Sequence, residues 1–308
     1  MLQVTRQTNQ RLRALDRRLL NNFQAAFLTA VARESRAIAK LAAFDPTGLS
    51  DEEIQLRRES YLRTVERETN LVNSIATEIV HSTDIAIRLI NDERLNVFDF
   101  NYRGALTDIS RLLGFRVDWT IYDRNQLRAL LIKSDRAAPF TKIAFRNLGK
   151  NRTIVQRLQD QLTQAIVLGE SVPKINRRVR DVATMTYKQA QRIARTEVMR
   201  VANEGRMLGY EQAQDDYNIP MKKQWISTLD DRTRRIPPDK ADHVEMHMEQ
   251  AELKEAFSNG LMQPGDSSGP PQEVINCRCT TVPILAISKG SKAYHEIRES
   301  ISQRARFG

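Results

Sequence analysis

Apolar side chains recur at intervals of three and four residues along the first part of the chain, a pattern that predicts amphipathic helix. Residues 4–42 contain neither Pro nor Gly, and their apolar positions are Leu12, Leu15, Leu19, Phe23, Ala26 and Ala30. Pro46 and Gly48 predict a break at 44–48. Ser50 and the acidic residues after it form a capping box. We therefore expect a second long helix from there to about Leu95.

Shorter helices are predicted at 103–113 and 123–134, with Trp119, Ile121 and Tyr122 between them as a brief strand or a loop anchor. Beyond Gly149 the apolar spacing predicts three further helices, at 151–168, 171–183 and 186–214.

The pattern changes beyond Pro220. Residues 223–228 and 280–285 are rich in β-branched and aromatic residues, which predicts two strands. Pro283 would keep the second strand at a sheet edge, because proline cannot donate a ladder hydrogen bond. Between the strands we expect a helix near 241–257 and a loop at 260–271.

These elements predict a mainly α-helical protein in two folded parts and a tail. A helical N-terminal domain with long helices would cover 1–148. A smaller α+β domain with a short antiparallel sheet would cover 149–287, and a basic tail 288–308. The chain has only two cysteines and no apolar run long enough to span a membrane, so we expect no disulfide scaffold and no membrane contact.

The net charge of +10 is unevenly distributed. Residues 1–40 carry +6 and residues 150–206 carry +7. Such basic segments suit nonspecific contact with the phosphates of double-stranded DNA, although solvated helix faces have the same composition. The candidate DNA contacts are Arg11, Arg13, Arg17, Arg18, Arg177, Arg178 and Arg180.

Glu197 falls on the apolar stripe of the predicted 186–214 helix, between Ala194 and Val201. A carboxylate there is costly without a partner. We predict an internal structural ion pair with Arg232 or Arg234 of the loop after the first strand. The alternative is that Glu197 pairs locally with Arg200.

Histidine and cysteine suggest a metal site. Cys277 and Cys279 would face the same way in a strand, and His243 and His247 would share a helix face. Together they would form a Cys₂His₂ set of the kind that holds structural zinc. The alternative is that the cysteines pack as small apolar side chains and bind no metal.

The chain carries a series of motifs in a defined order. Arg195–Glu197 on a helix is followed by Trp225–Arg234, His243–His247, Pro264–Asp266 and Glu273–Cys279. In this order they resemble the phage head morphogenesis family, the Mu F-like minor head proteins of tailed phages, over residues 150–285. A glycine is common in the family where this chain has Met248. The matching residues are Arg195, Thr196, Glu197, Trp225, Asp230, Arg232, Thr233, Arg234, Asn276, Cys277, Arg278 and Cys279.

The resemblance implies a structural protein of the phage head without a catalytic residue. It would be assembled in the host cytoplasm with the portal protein and the major capsid or procapsid proteins, and would reside in the virion near the portal or the capsid interior. The alternative is a zinc-dependent enzyme acting on nucleic acid, in which Glu245 would lie beside an open metal position.

Overall fold

The computed structural model describes residues 2–42, 51–136, 172–235 and 242–307, together with scattered positions between 146 and 164. The helices are α1 (Leu2–Ala42), α2 (Asp51–Leu113), α3 (Arg124–Arg136), α4 (Val172–Tyr217), α5 (Pro271–Val274) and α6 (Lys292–Phe307). The strands are β1 (Met221–Ile226), β2 (Gln250–Glu252) and β3 (Thr280–Leu285).

This architecture confirms the predicted fold class, long helices followed by a small antiparallel sheet. The separate helices predicted at 103–113 and at 171–183 are continuous with α2 and α4. Trp119 lies in a loop, where its indole N–H donates to Ser110 at 3.0 Å and its ring packs on Tyr217. No described helix is long and apolar enough to cross a membrane.

The described residues divide into two compact units. The sheet-containing unit consists of those in the ranges 1–15, 90–144 and 192–308. The helical unit consists of those in 16–89 and 145–191. The three-part division at 148 and 287 remains a prediction.

The helical unit is held together by side chains that the helical pattern points inward. Leu19, Phe23, Ile79 and Ala86 are buried. The amide of Asn22 donates to the Ser82 carbonyl at 2.7 Å, and the Ser82 hydroxyl donates to the Asn22 carbonyl. These reciprocal bonds satisfy polar groups that burial would otherwise leave without partners.

Two apolar clusters fill the sheet-containing unit. The larger combines the end of α2 with α4, β1 and α6, and its buried members include Ile109, Leu113, Tyr210, Ile219, Met221 and Ile301. The smaller surrounds Trp225, which has no exposed surface, and contains Met246, Phe257, Leu261, Cys277 and Cys279. Both predicted cysteines therefore belong to the core beneath β1.

The sheet has the strand order β2-β1-β3 and is antiparallel throughout. Residues Met221 to Ile226 pair with β3 in a register that places Pro283 opposite Lys223. The edge position predicted for the proline strand is confirmed, since β3 has a neighbour only on its β1 side among the described strands.

The described residues 242–257 contain no helix, so the helix predicted near 241–257 is a wrong prediction. Residues 243–248 form turns, and Gln250–Glu252 form β2. The physical reason is pairing with β1: the Met248 N–H donates to the Trp225 carbonyl, and the Trp225 N–H to the Glu249 carbonyl, both at 2.8 Å. The predicted break at 44–48 and Pro237–Pro238 lie outside the described residues, as does most of the 151–168 helix.

Candidate functional site

The sulfurs of Cys277 and Cys279 converge on one imidazole. Both cysteines lie in the extended segment that enters β3, and both are buried. The Nδ1 atom of His243 lies 3.6 Å from Sγ of Cys277 and 3.5 Å from Sγ of Cys279. The three potential ligand atoms all lie within 4.8 Å of one another. This part of the predicted metal set is therefore assembled in space.

The other edge of the His243 ring is held by a carboxylate. Its Nε2 atom lies 2.8 Å from Oε2 of Glu273, a buried residue of α5. The Trp225 ring meets the imidazole edge-on, with the ring centroids 5.2 Å apart. In the tautomer that carries its proton on Nε2, His243 donates to Glu273 and directs the Nδ1 lone pair at the sulfurs.

The two thiols are electrostatically unequal. The pKa of Cys279 is lowered, chiefly because the Cys277 thiol hydrogen-bonds to its sulfur, and His243 adds to the effect. The same hydrogen bond, together with burial, raises the pKa of Cys277.

His247 does not join this cluster, which corrects the predicted Cys₂His₂ set. Its Nδ1 accepts the backbone N–H of Ser227 at 3.2 Å. Because residues 243–248 form turns and no helix, positions i and i+4 do not share a face. Met248 ends these turns with φ 73°, the left-handed conformation that favours glycine. The left-handed backbone at position 248 therefore explains why a glycine suits this position in the family.

An arginine-rich cavity of about 300 Å³ adjoins the cluster, and four arginines line it: Arg232, Arg234, Arg235 and Arg278. Arg278 forms a two-pronged ion pair with Asp230, and this hydrogen bonding holds the pKa of Asp230 well below its usual range. Arg234 donates to the Ile275 carbonyl at 3.1 Å through Nη2. Its buried Nη1 has no hydrogen-bond partner among the described residues.

The structure corrects the predicted partners of Glu197. This carboxylate is internal, as the apolar stripe predicted, but its cations come from Arg94 and Arg200. Oε2 of Glu197 lies 3.2 Å from Nε of Arg94 and 3.0 Å from Nη2 of Arg200. The alternative partner, Arg200, is thus right. Arg234 instead faces the cavity and the Ile275 carbonyl.

Separate motifs are joined by hydrogen bonds to α4. The Thr196 hydroxyl accepts the Asn276 N–H at 3.1 Å. Asn203 donates to the carbonyls of Pro264 and Cys279, at 2.9 and 3.2 Å, and accepts from the Thr280 hydroxyl. Gly265, with φ 80°, approaches the α4 backbone so closely that an added Cβ would lie 3.3 Å from Cα of Arg200. The Pro-Gly-Asp element is therefore a packing contact.

Sequence reasoning missed several residues that position this site. Glu273 is one of them: it begins the Glu273–Cys279 motif, and nothing in the sequence alone marks it as buried behind His243. Asn203 is another: it is buried in α4 but lies about 240° around the helix from Glu197, off the apolar stripe that the helical period marks. Nor does the sequence mark Arg94 of α2, or Asp135 of α3, which pairs with both Arg94 and Arg200.

Two of the arginines predicted to contact DNA already contact other side chains of the protein. Arg11 forms an ion pair with Glu93 at 3.2 Å, and Arg178 donates to Gln161 and Gln164. The remaining candidates have exposed side chains, namely Arg13, Arg17, Arg18, Arg177 and Arg180.

Residues 156–282 match the family described as Phage Mu protein F like protein. A stretch of 134 residues is 32% identical to NAD(+)--arginine ADP-ribosyltransferase EFV of Enterococcus faecalis (strain ATCC 700802 / V583), and covers 43% of this chain and 26% of that protein. A stretch of 135 residues is 27% identical to minor head protein GP7 of Bacillus phage SPP1, and covers 43% of this chain and 41% of that protein. The chain thus spans less than half the length of either relative. No solved structure matches it.

The matched residues contain the α4 motif around Thr196, the β1 strand around Trp225 and the Cys277–Cys279 segment, which are joined in one folded unit. The predicted resemblance is confirmed: residues 156–282 match the Mu F-like family, and part of the chain is similar to a phage minor head protein.

Proposed function

We propose that this chain is a minor head protein of a tailed phage, assembled with the portal and procapsid proteins in the host cytoplasm and retained in the virion. The observation that supports it most is the match of residues 156–282 to the Mu F-like family. The match to the SPP1 minor head protein points the same way. In this role the domain acts as a folded connector between other head components.

A structural role also agrees with the chemistry of the cavity. Among the described residues that line it, the ionisable groups are arginine, histidine and cysteine, and the one histidine, His243, faces the two buried cysteines. Glu245, the acid that a zinc-dependent hydrolase would use, has an exposed side chain in the turns after Asp242. These features favour the structural proposal over a nucleic-acid enzyme.

Co-assembly tests the proposal directly. The full chain is produced together with the portal and capsid proteins of its phage, and procapsids are separated by sedimentation. We expect the chain in procapsids that contain the portal protein and not in procapsids assembled without it. Equal incorporation in both would place it on the capsid shell, which contradicts portal association. Absence from both would overturn the head-protein proposal.

We further propose that the basic residues of α1 and α4 contact packaged DNA through its phosphates. Each phosphate that a cation neutralises contributes about 0.9 to the slope of log affinity against log salt. The variants Arg17→Gln/Arg18→Gln and Arg177→Gln/Arg180→Gln are each expected to reduce the magnitude of that slope by about 1 to 2 on any duplex sequence. The measurement is fluorescence anisotropy over a range of salt concentrations.

The matched control is Arg116→Gln/Arg128→Gln, which removes the same charge from two exposed arginines outside the proposed contacts. Its slope should equal that of the parent chain. An equal reduction of the slope in the control and the test variants would indicate a general effect of net charge. A strong preference of the parent chain for one duplex sequence would contradict nonspecific binding.

A further inference from the structure

The three atoms that converge beneath β1 have the dimensions of a metal site. A tetrahedral ion about 2.3 Å from each sulfur and about 2.0–2.1 Å from a nitrogen holds the nitrogen about 3.5 Å from each sulfur. The observed separations of His243 Nδ1 from the two sulfurs are 3.6 and 3.5 Å. Both nitrogen–sulfur separations therefore suit binding of one common ion, and the three atoms lie within 4.8 Å of one another.

Both sulfurs face the same nitrogen, although the Cys277 thiol can also donate to the Cys279 sulfur. The Nδ1 atom of a neutral imidazole has one lone pair and can accept one thiol proton well. Here both Cys277 and Cys279 lie at nearly the same distance from it. A divalent cation between the three atoms would bind all of them at once, and thiolate sulfur with imidazole nitrogen is a donor set that zinc prefers.

The hydrogen bond to the other ring nitrogen of His243 also fits a zinc site. Metal-bound histidines usually donate their other ring N–H to a carboxylate or carbonyl, which fixes the ring and its tautomer. Glu273 is in place at 2.8 Å from Nε2, and Asn259 lies 3.4 Å from the same carboxylate oxygen. The Trp225 edge holds the ring from the side.

We propose that Cys277, Cys279 and His243 bind one Zn²⁺ ion, with Glu273 as the residue that positions the histidine. All three ligands border the arginine-lined cavity. The ion joins the long segment between β1 and β2 to the start of β3. Its role is to stabilise the Mu F-like domain, so it goes beyond the proposed head function and does not depend on it.

Metal analysis of the full chain tests the site. From a zinc-supplemented culture we expect about one zinc per chain by mass spectrometry. After zinc removal, Co²⁺ should produce sulfur-to-cobalt charge-transfer absorption and the visible bands of tetrahedral coordination. A chain that contains no zinc and gives no cobalt–thiolate absorption while remaining folded would overturn the proposal.

Variants identify the ligands. Cys277→Ser, Cys279→Ser and His243→Gln should each abolish stoichiometric zinc, whereas His247→Gln, four residues from the proposed ligand, should retain it. Glu273→Gln is expected to weaken zinc affinity about 10- to 100-fold while cobalt still gives a thiolate spectrum. Circular dichroism establishes that each variant is folded. Full zinc retention by folded His243→Gln, or zinc loss in folded His247→Gln, would contradict the assignment.

Discussion

Replacing Arg200 with methionine is expected to lower the free energy of unfolding by about 3–5 kcal/mol, because the change leaves buried carboxylates without their shared cation. The Arg200 side chain is only 1% exposed. Its guanidinium lies 3.0 Å from Glu197 and 2.6 Å from Asp135, and it also pairs with Glu204. Chemical denaturation of the folded chain measures the loss.

The unfolding free energy lost in Arg200→Met should increase as the pH rises. Burial raises the pKa of Glu204, and Arg200 is the largest influence that opposes this rise. Without Arg200 the folded-state pKa of Glu204 rises further above its unfolded value. A group with a raised acid pKa destabilises the folded state increasingly as the pH rises, so the loss should be larger at about pH 8 than at about pH 5.

Two companion variants separate a buried network from an ordinary ion pair. Glu197→Ala should also cost about 3–5 kcal/mol, since it leaves Arg94 and Arg200 short of a counter-charge. Asp118→Ala removes an acid from the surface pair with Arg116, whose side chains are 65% and 90% exposed, and serves as the control. Its effect should stay within about 0.5 kcal/mol. Unchanged stability in both Arg200→Met and Glu197→Ala would show that the network contributes nothing.

The strands could be predicted from the sequence because their signal is local. Residues 223–228 and 280–285 have the β-branched and aromatic composition of strands, and β1 and β3 lie there within two residues. The segment 241–257 misled the same reasoning. Its composition favours helix. Main-chain hydrogen bonds between Trp225 and residues 248 and 249 instead align the segment with β1, and Gln250–Glu252 form β2. This long-range pairing also removed His247 from the metal set.

The sequence predicts which residues are buried better than it predicts which residues they contact. The helical period of α4 placed Glu197 inside the protein, and the structure agrees. The Glu197 partner Arg94 lies on another helix, 103 positions earlier in the chain. Asp135, which pairs with Arg94 and Arg200, lies 62 positions before Glu197. A single sequence contains no periodic relation between positions so far apart. For the same reason it predicted two cysteines on one face without revealing Glu273 behind His243.

Gly205→Ala is the second substitution with a large expected effect. A Cβ at this position of α4 would lie 2.4 Å from the Phe98 carbonyl oxygen and 3.2 Å from the Tyr102 nitrogen, both in the α2 backbone. Alanine favours a helix over glycine by about 1 kcal/mol. The clash with immovable backbone outweighs this gain, and we expect a net loss of about 1–3 kcal/mol by denaturation.

Gly209, one helical turn further on, provides a comparison that identifies the cause. Its added Cβ would meet the Cβ of Ala105 at 2.7 Å, a side-chain atom that can be removed. The Gly209→Ala change should therefore cost less in an Ala105→Gly background than in the parent chain. The Gly205→Ala change should cost the same in both backgrounds, because its obstacle is the Phe98 carbonyl. Rescue of both changes would show that the Phe98 carbonyl is not the obstacle at Gly205. Rescue of neither would show that Ala105 is not the obstacle at Gly209, where the Tyr102 carbonyl oxygen also lies 3.1 Å from the added Cβ.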